Sequence, residues 1–146
     1  MATGMTRIDG ITDTNKLRGI MANAKGVSDE HYFRSFKRLL TVTGEKYEDK
    51  IEKAFHNFLV AYEVFLKEDN NGENRKATRT RQAVTNKGIK KTIEGLVTSR
   101  TPSRGFMRLM EYNMPELTLE HLVIENSDEF SDKVVESALE KMVEYA

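Results

Sequence analysis

Apolar residues recur every three or four positions along almost the whole chain, the spacing that places them on one face of an α-helix. No run of four residues shows the apolar and polar alternation of a half-buried strand between turn residues. The 146 residues are enough for one domain with a substantial buried core. We therefore predict an all-α fold, a compact bundle of seven or eight short-to-medium helices in a single domain over residues 11–146, preceded by a flexible segment over residues 1–10.

Capping residues and glycines predict where the first helices begin and end. Asp13 or Thr14 is expected to cap the first helix, because a side-chain oxygen there can accept hydrogen bonds from the free N–H groups of the first turn. Gly26 is expected just past the end of this helix. Ser28 is then predicted to cap the second helix in the same way as the first.

The third helix is predicted to be the longest, from about residue 45 to residue 67, and it carries a wide apolar stripe. Its later half is apolar on a second face as well, which indicates that other elements contact it from two sides. We therefore expect this helix to form the centre of the core, with the following side chains buried: Phe55, Phe58, Leu59, Tyr62 and Phe65.

The second half of the chain is predicted to hold shorter helices. One runs from about residue 74 to residue 86 and is ended by Gly88, and another runs from about residue 89 to residue 99. Three more helices are predicted to start at hydroxyl residues that can act as caps, namely Thr101 before Pro102, Thr118 and Ser131.

The two ends of the chain share a pattern of short helix, Ser-capped turn and longer helix. In this pattern Tyr32, Phe36 and Leu39 correspond to Val135, Leu139 and Met142. Helical-repeat proteins are built from hairpins of this kind, so the two terminal hairpins are candidates for equivalent units. The alternative is that any two capped amphipathic hairpins look alike.

Residue types and spacings give no sign of an enzyme. The chain has no cysteine, which removes disulfides, thiolate metal sites and thiol nucleophiles. Its three histidines belong to no metal-binding motif, and its nine glycines form no phosphate-binding loop. Glu52, His56 and Glu63 share roughly one helix face, a spacing typical of a solvated face with weak ion pairs. We therefore predict no catalytic residues, no metal and no cofactor.

Hydropathy gives no sign of a membrane partner. No apolar run approaches the roughly 18 residues of a membrane-spanning helix, and the first fifteen residues lack the pattern of a signal peptide. The sequence therefore predicts a cytoplasmic protein.

Charge is segregated along the chain although the net charge is zero. Residues 1–74 are nearly neutral, residues 75–108 hold ten basic residues and one acid, and residues 109–146 hold ten acids and two lysines. A basic segment of this density is typical of a surface that binds anionic partners.

The cations of the basic segment are the candidate functional residues. At helical spacing they fall on the side opposite the apolar residues, so we expect them to form an outward ridge that contacts nucleic acid, composed of Arg75, Lys76, Arg79, Lys87, Lys91, Arg104 and Arg108. Because few aromatic residues lie nearby to stack on bases, duplex DNA is favoured over single strands.

Two alternatives to a nucleic-acid interface remain open. The cations of the basic segment could instead pair with acids of the last helices, such as Glu136 and Glu140. The protein could also be an interaction or adaptor module whose basic and acidic faces bind protein partners or associate with each other in a homo-oligomer.

Overall fold

The computed structural model describes residues 4–70 and 76–146, and the side chains from residue 7 onward within those ranges. Over this part of the chain there are eight α-helices and no strand, so the all-α prediction is confirmed. Two single 3₁₀ turns, Pro115–Leu117 and Ser127–Glu129, flank the seventh helix. The helices are α1 (Gly4–Asp9), α2 (Thr14–Ala24), α3 (Asp29–Gly44), α4 (Lys50–Asp69), α5 (Thr78–Thr98), α6 (Arg104–Glu111), α7 (Leu119–Glu125) and α8 (Asp132–Glu144).

Contacts within the chain group it into two compact units, Met1–Glu48 with α1 to α3 and Asp49–Ala146 with α4 to α8. The single domain over residues 11–146 stays a prediction. Residues 1–10 were predicted to be a flexible segment, whereas α1 lies there and Ile8 is buried. Burial of Ile8 stabilises α1, because a helix of six residues is too short to be stable by itself.

The N-terminal unit follows the predicted caps. The Asp13 side chain accepts hydrogen bonds from the first turn of α2, and Ser28 accepts one from the N–H of His31 in α3. Gly26 lies between these helices with a φ of 75°, a left-handed conformation that glycine adopts without strain. The packed faces of α2 and α3 bury Leu17 and Phe36 completely.

Helix α4 forms the centre of the C-terminal unit. It begins at residue 50 rather than 45, because the Asp49 side chain caps it by accepting hydrogen bonds from two backbone N–H groups. Four of the five predicted core side chains are buried, and Tyr62 is half-buried. The buried four are Phe55, Phe58, Leu59 and Phe65.

The later helices confirm two of three predicted caps. Thr118 caps α7 and Ser131 caps α8, each accepting a hydrogen bond from the third N–H of its helix. The third prediction is wrong: α6 is capped by Ser103, whose hydroxyl accepts from the N–H of Phe106 at 3.1 Å, and not by Thr101.

The two terminal hairpins bury different positions of their longer helices. Tyr32, Phe36 and Leu39 are buried on α3. Of their proposed counterparts on α8, Leu139 is 48% exposed and the other two are only half-buried. The buried side chains of α8 are instead Val134, Ala138 and Lys141, one position earlier in each turn. The shared sequence pattern therefore does not extend to a shared packing face.

Candidate nucleic-acid interface

Helix α5 consists of two helical arms joined at Gly88. This glycine has φ 86° and ψ 168°, a conformation open essentially to glycine alone, and the chain is helical on both sides of it. The predicted break at this residue is thus confirmed. The first arm begins at Thr78, and its start is attached to α4 because the N–H of Ala77 donates to Glu63 Oε2 at 2.8 Å.

Four of the seven candidate cations are exposed on α5 or directly before it: Lys76, Arg79, Lys87 and Lys91. Within the described ranges, the last three have no carboxylate within ion-pair distance. Arg75 lies outside the described residues. The candidate cations at α5 that the structure describes therefore lie outward, as the sequence predicted.

A cleft of about 240 Å³ lies along the two arms of α5 and brings Arg79 and Lys87 together. Residues from both arms line it: Arg79, Thr80, Ala83 and Lys87 from the first, and Thr92, Gly95 and Leu96 from the second. The Lys87 side chain reaches the second arm, since its Nζ lies only 3.4 Å from where a Cβ on Gly95 would be. The sequence pattern placed the two cations on one ridge but did not reveal this cleft.

The hydroxyl groups in the cleft differ in their free hydrogen-bonding capacity. Thr92 is buried, and its Oγ1 donates to the carbonyl of Gly88 at 2.7 Å, so it can only accept from a ligand. An anion in the cleft would therefore be held by the two cations and the Thr80 hydroxyl.

Gly95 is the residue whose role could have been suspected from the sequence, because a glycine in the middle of a helix is unfavourable without a packing or binding reason.

Arg108 departs from the outward position that the sequence predicted. Its guanidinium forms ion pairs with Asp69 at 2.5 Å and Glu68 at 3.6 Å, and it donates to the Tyr112 hydroxyl at 3.1 Å. Its side chain is 19% exposed and stacks 5.1 Å from the centre of the Phe65 ring. These contacts hold Arg108 inside the C-terminal unit, so Arg108 is not part of the candidate interface.

Arg104 occupies an intermediate position. It pairs with Asp69 at 3.7 Å, while its side chain stays 53% exposed. Because Arg108 already takes the same carboxylate at a shorter distance, the Arg104 contact is a weak, solvent-screened one. Arg104 remains able to meet an anion, but it lies on α6 and is not among the residues that line the cleft.

The alternative that the cations pair internally holds for some of them, mostly with acids of α4 and in one case with Glu129 of the acidic segment. Arg81 pairs with Glu63 of α4, and Lys90 lies 3.9 Å from Glu129. Neither Glu136 nor Glu140 forms an ion pair with a cation of the basic segment within the described residues. The acids of α4 therefore take most of these pairs, and Arg79, Lys87 and Lys91 of α5 form no ion pair within the described residues.

Glu52, His56 and Glu63 do not share the solvated face that their spacing indicated. Glu63 is 8% exposed and bound to Arg81, not part of a solvated face. Burial lowers the pKa of His56, with Glu52 opposing that shift. Across residues 7–70 and 76–146 there is no group of three or more side chains placed to hold a metal ion.

Comparison with known proteins finds no matching family model, no similar curated protein and no similar solved structure. None of the helices in the described ranges is long and apolar enough to cross a membrane.

Proposed function

We propose that the protein is a non-enzymatic, cytoplasmic nucleic-acid-binding protein that holds duplex DNA by its backbone phosphates through α5. The observation that carries the proposal is the cleft in which Arg79 and Lys87 lie together, exposed and without an acidic partner among the described residues. Cations that no protein carboxylate neutralises can replace the counterions of a phosphate backbone.

The cleft is suited to one phosphate group. Two cations and the Thr80 hydroxyl supply donors for its oxygens, and the lining residues include no acid to repel it. Lys76, exposed just before α5, and Lys91, exposed on its second arm, would meet neighbouring phosphates. Contacts of this kind position a protein on DNA without reading its bases, so the proposed binding has little sequence preference.

The aromatic residues near the basic segment support a duplex over a single strand. Phe106 and Phe130 are buried, and the half-buried Tyr112 lies against Phe65 and Arg108. None of the three offers an open ring face for a base to stack on. A single-strand binder would need such a face.

Salt dependence of binding tests the proposal. With four contacts, from Lys76, Arg79, Lys87 and Lys91, the logarithm of affinity for a labelled duplex should fall with log salt at a slope of about −3.6. Changing Arg79 and Lys87 together to Ala should halve that slope for unrelated duplex sequences alike. Fluorescence anisotropy measures both quantities.

A charge-matched control separates the interface from general electrostatics. Changing the exposed Lys50 and Lys53 of α4 to Ala removes the same charge and should leave the slope near its original value. Equal losses in both variants would mean that net charge alone drives binding. No anisotropy change with micromolar protein at low salt would refute the proposal.

Gly95 offers a sharper test of the cleft. Gly95→Ala should stabilise the helix by about 0.5–1 kcal/mol, and its new methyl group would meet Lys87 Nζ at 3.4 Å. A more stable protein that binds duplex DNA more weakly is therefore expected. Gly19→Ala is the matched control, because nothing lies within 4 Å of its added Cβ and no binding change should follow. Unchanged affinity in Gly95→Ala would show that a bound phosphate does not pack against Gly95.

The second candidate function is an interaction module, and α8 supplies an observation in its favour. Leu139 and Val143, one turn apart, are 48% and 80% exposed on a helix rich in acids. Adjacent exposed apolar side chains are typical of surfaces that meet another protein chain. Sedimentation velocity should then show self-association that Leu139→Ser with Val143→Ser abolishes, while a monomer at all concentrations would count against self-association.

A further inference from the structure

A second pocket, of about 640 Å³, lies wholly within the N-terminal unit and takes no residue from α5. Its volume is within the roughly 300–1,000 Å³ range of small-molecule sites. Seven residues from α1, α2, α3 and the link after α1 line it: Arg7, Ile8, Gly10, Ile11, Lys16, Ile20 and His31.

The walls of this pocket are held in place by contacts from α3. Arg34 donates to both carboxylate oxygens of Asp9, the last residue of α1, through Nε at 2.8 Å and through a second, shorter hydrogen bond. Arg38 Nε donates to the carbonyl of Ile11 at 2.8 Å. The His31 Nδ1 lies 2.7 Å from the Ser28 hydroxyl, which fixes the imidazole ring. These contacts fix the end of α1, the link after it and the His31 ring at the edge of the pocket.

The lining combines two chemistries that suit one kind of ligand. Ile8, Ile11 and Ile20 provide apolar surface, whereas Arg7 and Lys16 are exposed cations at the same pocket. No carboxylate is among the described residues that line it. Apolar surface binds the hydrocarbon part of a ligand, and cations that form no ion pair within the described residues bind its anionic group.

We propose that this pocket binds a small amphiphilic carboxylate. The carboxylate group is held by Arg7 and Lys16, and the aliphatic chain lies against the three isoleucines. This site is independent of the proposed DNA contact, because its residues belong to the other compact unit.

Octanoate, added to the full chain and followed by amide NMR shifts, tests the proposal. Millimolar octanoate should shift the signals of Ile8, Ile11 and Ile20 saturably. Octanol has the same chain without the charge, and acetate has the charge without the chain. Each should bind at least about tenfold more weakly, which corresponds to a loss of about 1.4 kcal/mol.

Substitutions test whether octanoate binds in this pocket or is attracted by the positive charge of the surface in general. Arg7→Ala with Lys16→Ala should weaken octanoate binding about tenfold, and Ile20→Asn should weaken it without removing a cation. The control, Lys37→Ala with Lys46→Ala, removes equal charge from exposed positions of the same unit outside the pocket and should bind like the original protein. No saturable shift, equal binding of octanol, or equal loss in the control would overturn the proposal.

Discussion

Glu63 and Arg81 form a two-pronged ion pair that attaches the first arm of α5 to α4. Arg81 Nε donates to Glu63 Oε2 at 2.7 Å, and its terminal nitrogen donates to Oε1. The same carboxylate accepts from the N–H of Ala77, so one buried acid satisfies both a side chain and the start of a helix. This pair positions the arm that carries Arg79 and Lys87, although neither Glu63 nor Arg81 lines the cleft.

Replacing Glu63 should therefore loosen the attachment of α5. Glu63→Gln should lower the free energy of unfolding at pH 7 by about 1.5–3 kcal/mol, because hydrogen bonds to a charged acceptor are lost in a buried place. Urea denaturation measures the loss. A change below about 0.5 kcal/mol would show that the pair contributes little to stability.

The contribution of Glu63 should also depend on pH. Burial alone would raise the pKa of Glu63, but the hydrogen bonds from Arg81 and Ala77 outweigh it and hold the pKa below its ordinary value of 4.5. The unfolded chain then binds the proton more readily, so this stabilisation is present above pH 4.5 and is lost as the pH falls through the lowered pKa. The stability difference between the original protein and Glu63→Gln should accordingly shrink below that pH, whereas a constant difference would contradict the assignment.

Glu120 and Lys141 form a buried pair between α7 and α8, 3.5 Å apart, and Lys141 also donates to the carbonyl of Leu96 at 3.1 Å. Burial raises the pKa of Glu120, and the charge of Lys141 opposes that shift. Lys141→Met or Glu120→Leu alone should destabilise the protein by about 3 kcal/mol, since each leaves one buried charge unpaired. The double variant should recover most of that loss in denaturant unfolding. Additive losses would mean that the two residues act separately.

Gly105 of α6 packs on the Phe58 ring so closely that an added Cβ would lie 2.9 Å from Phe58 Cζ. Gly105→Ala should therefore cost about 1–3 kcal/mol through overpacking, and Phe58→Ala about 3–5 kcal/mol through the cavity it leaves. Together they should cost less than the sum, because the cavity accommodates the new methyl group. Strict additivity in chemical denaturation would show that the two positions do not share a contact.

Gly88→Ala should strain the joint between the arms of α5. Nothing lies within 4 Å of the added Cβ, so the expected loss of about 1–3 kcal/mol comes from the backbone conformation alone. Gly19→Ala, in a helix with equal space, should instead gain stability. Thermal unfolding should give a lower Tm for Gly88→Ala and a higher Tm for Gly19→Ala. A higher Tm in both variants would contradict the break at Gly88.

The helical class and most helix starts could be predicted from the sequence because they depend on neighbours in the chain. Ser28, Thr118 and Ser131 cap helices by bonding N–H groups three residues ahead, and Gly88 breaks one through its own backbone freedom. The choice of Ser103 over Thr101 shows the limit of such signals. Both residues can cap, and only the geometry of the following turn selects one.

Which polar and apolar side chains face the core was decided by the tertiary structure. The pattern placed Arg108 outside, but its partner Asp69 lies 39 residues away, and only the approach of α6 to α4 joins them. On α8 the apolar stripe is wider than the surface available to cover it, so Leu139 stays exposed. Periodicity identifies a face, whereas the elements packed against it determine how much of that face is buried and which cations stay exposed.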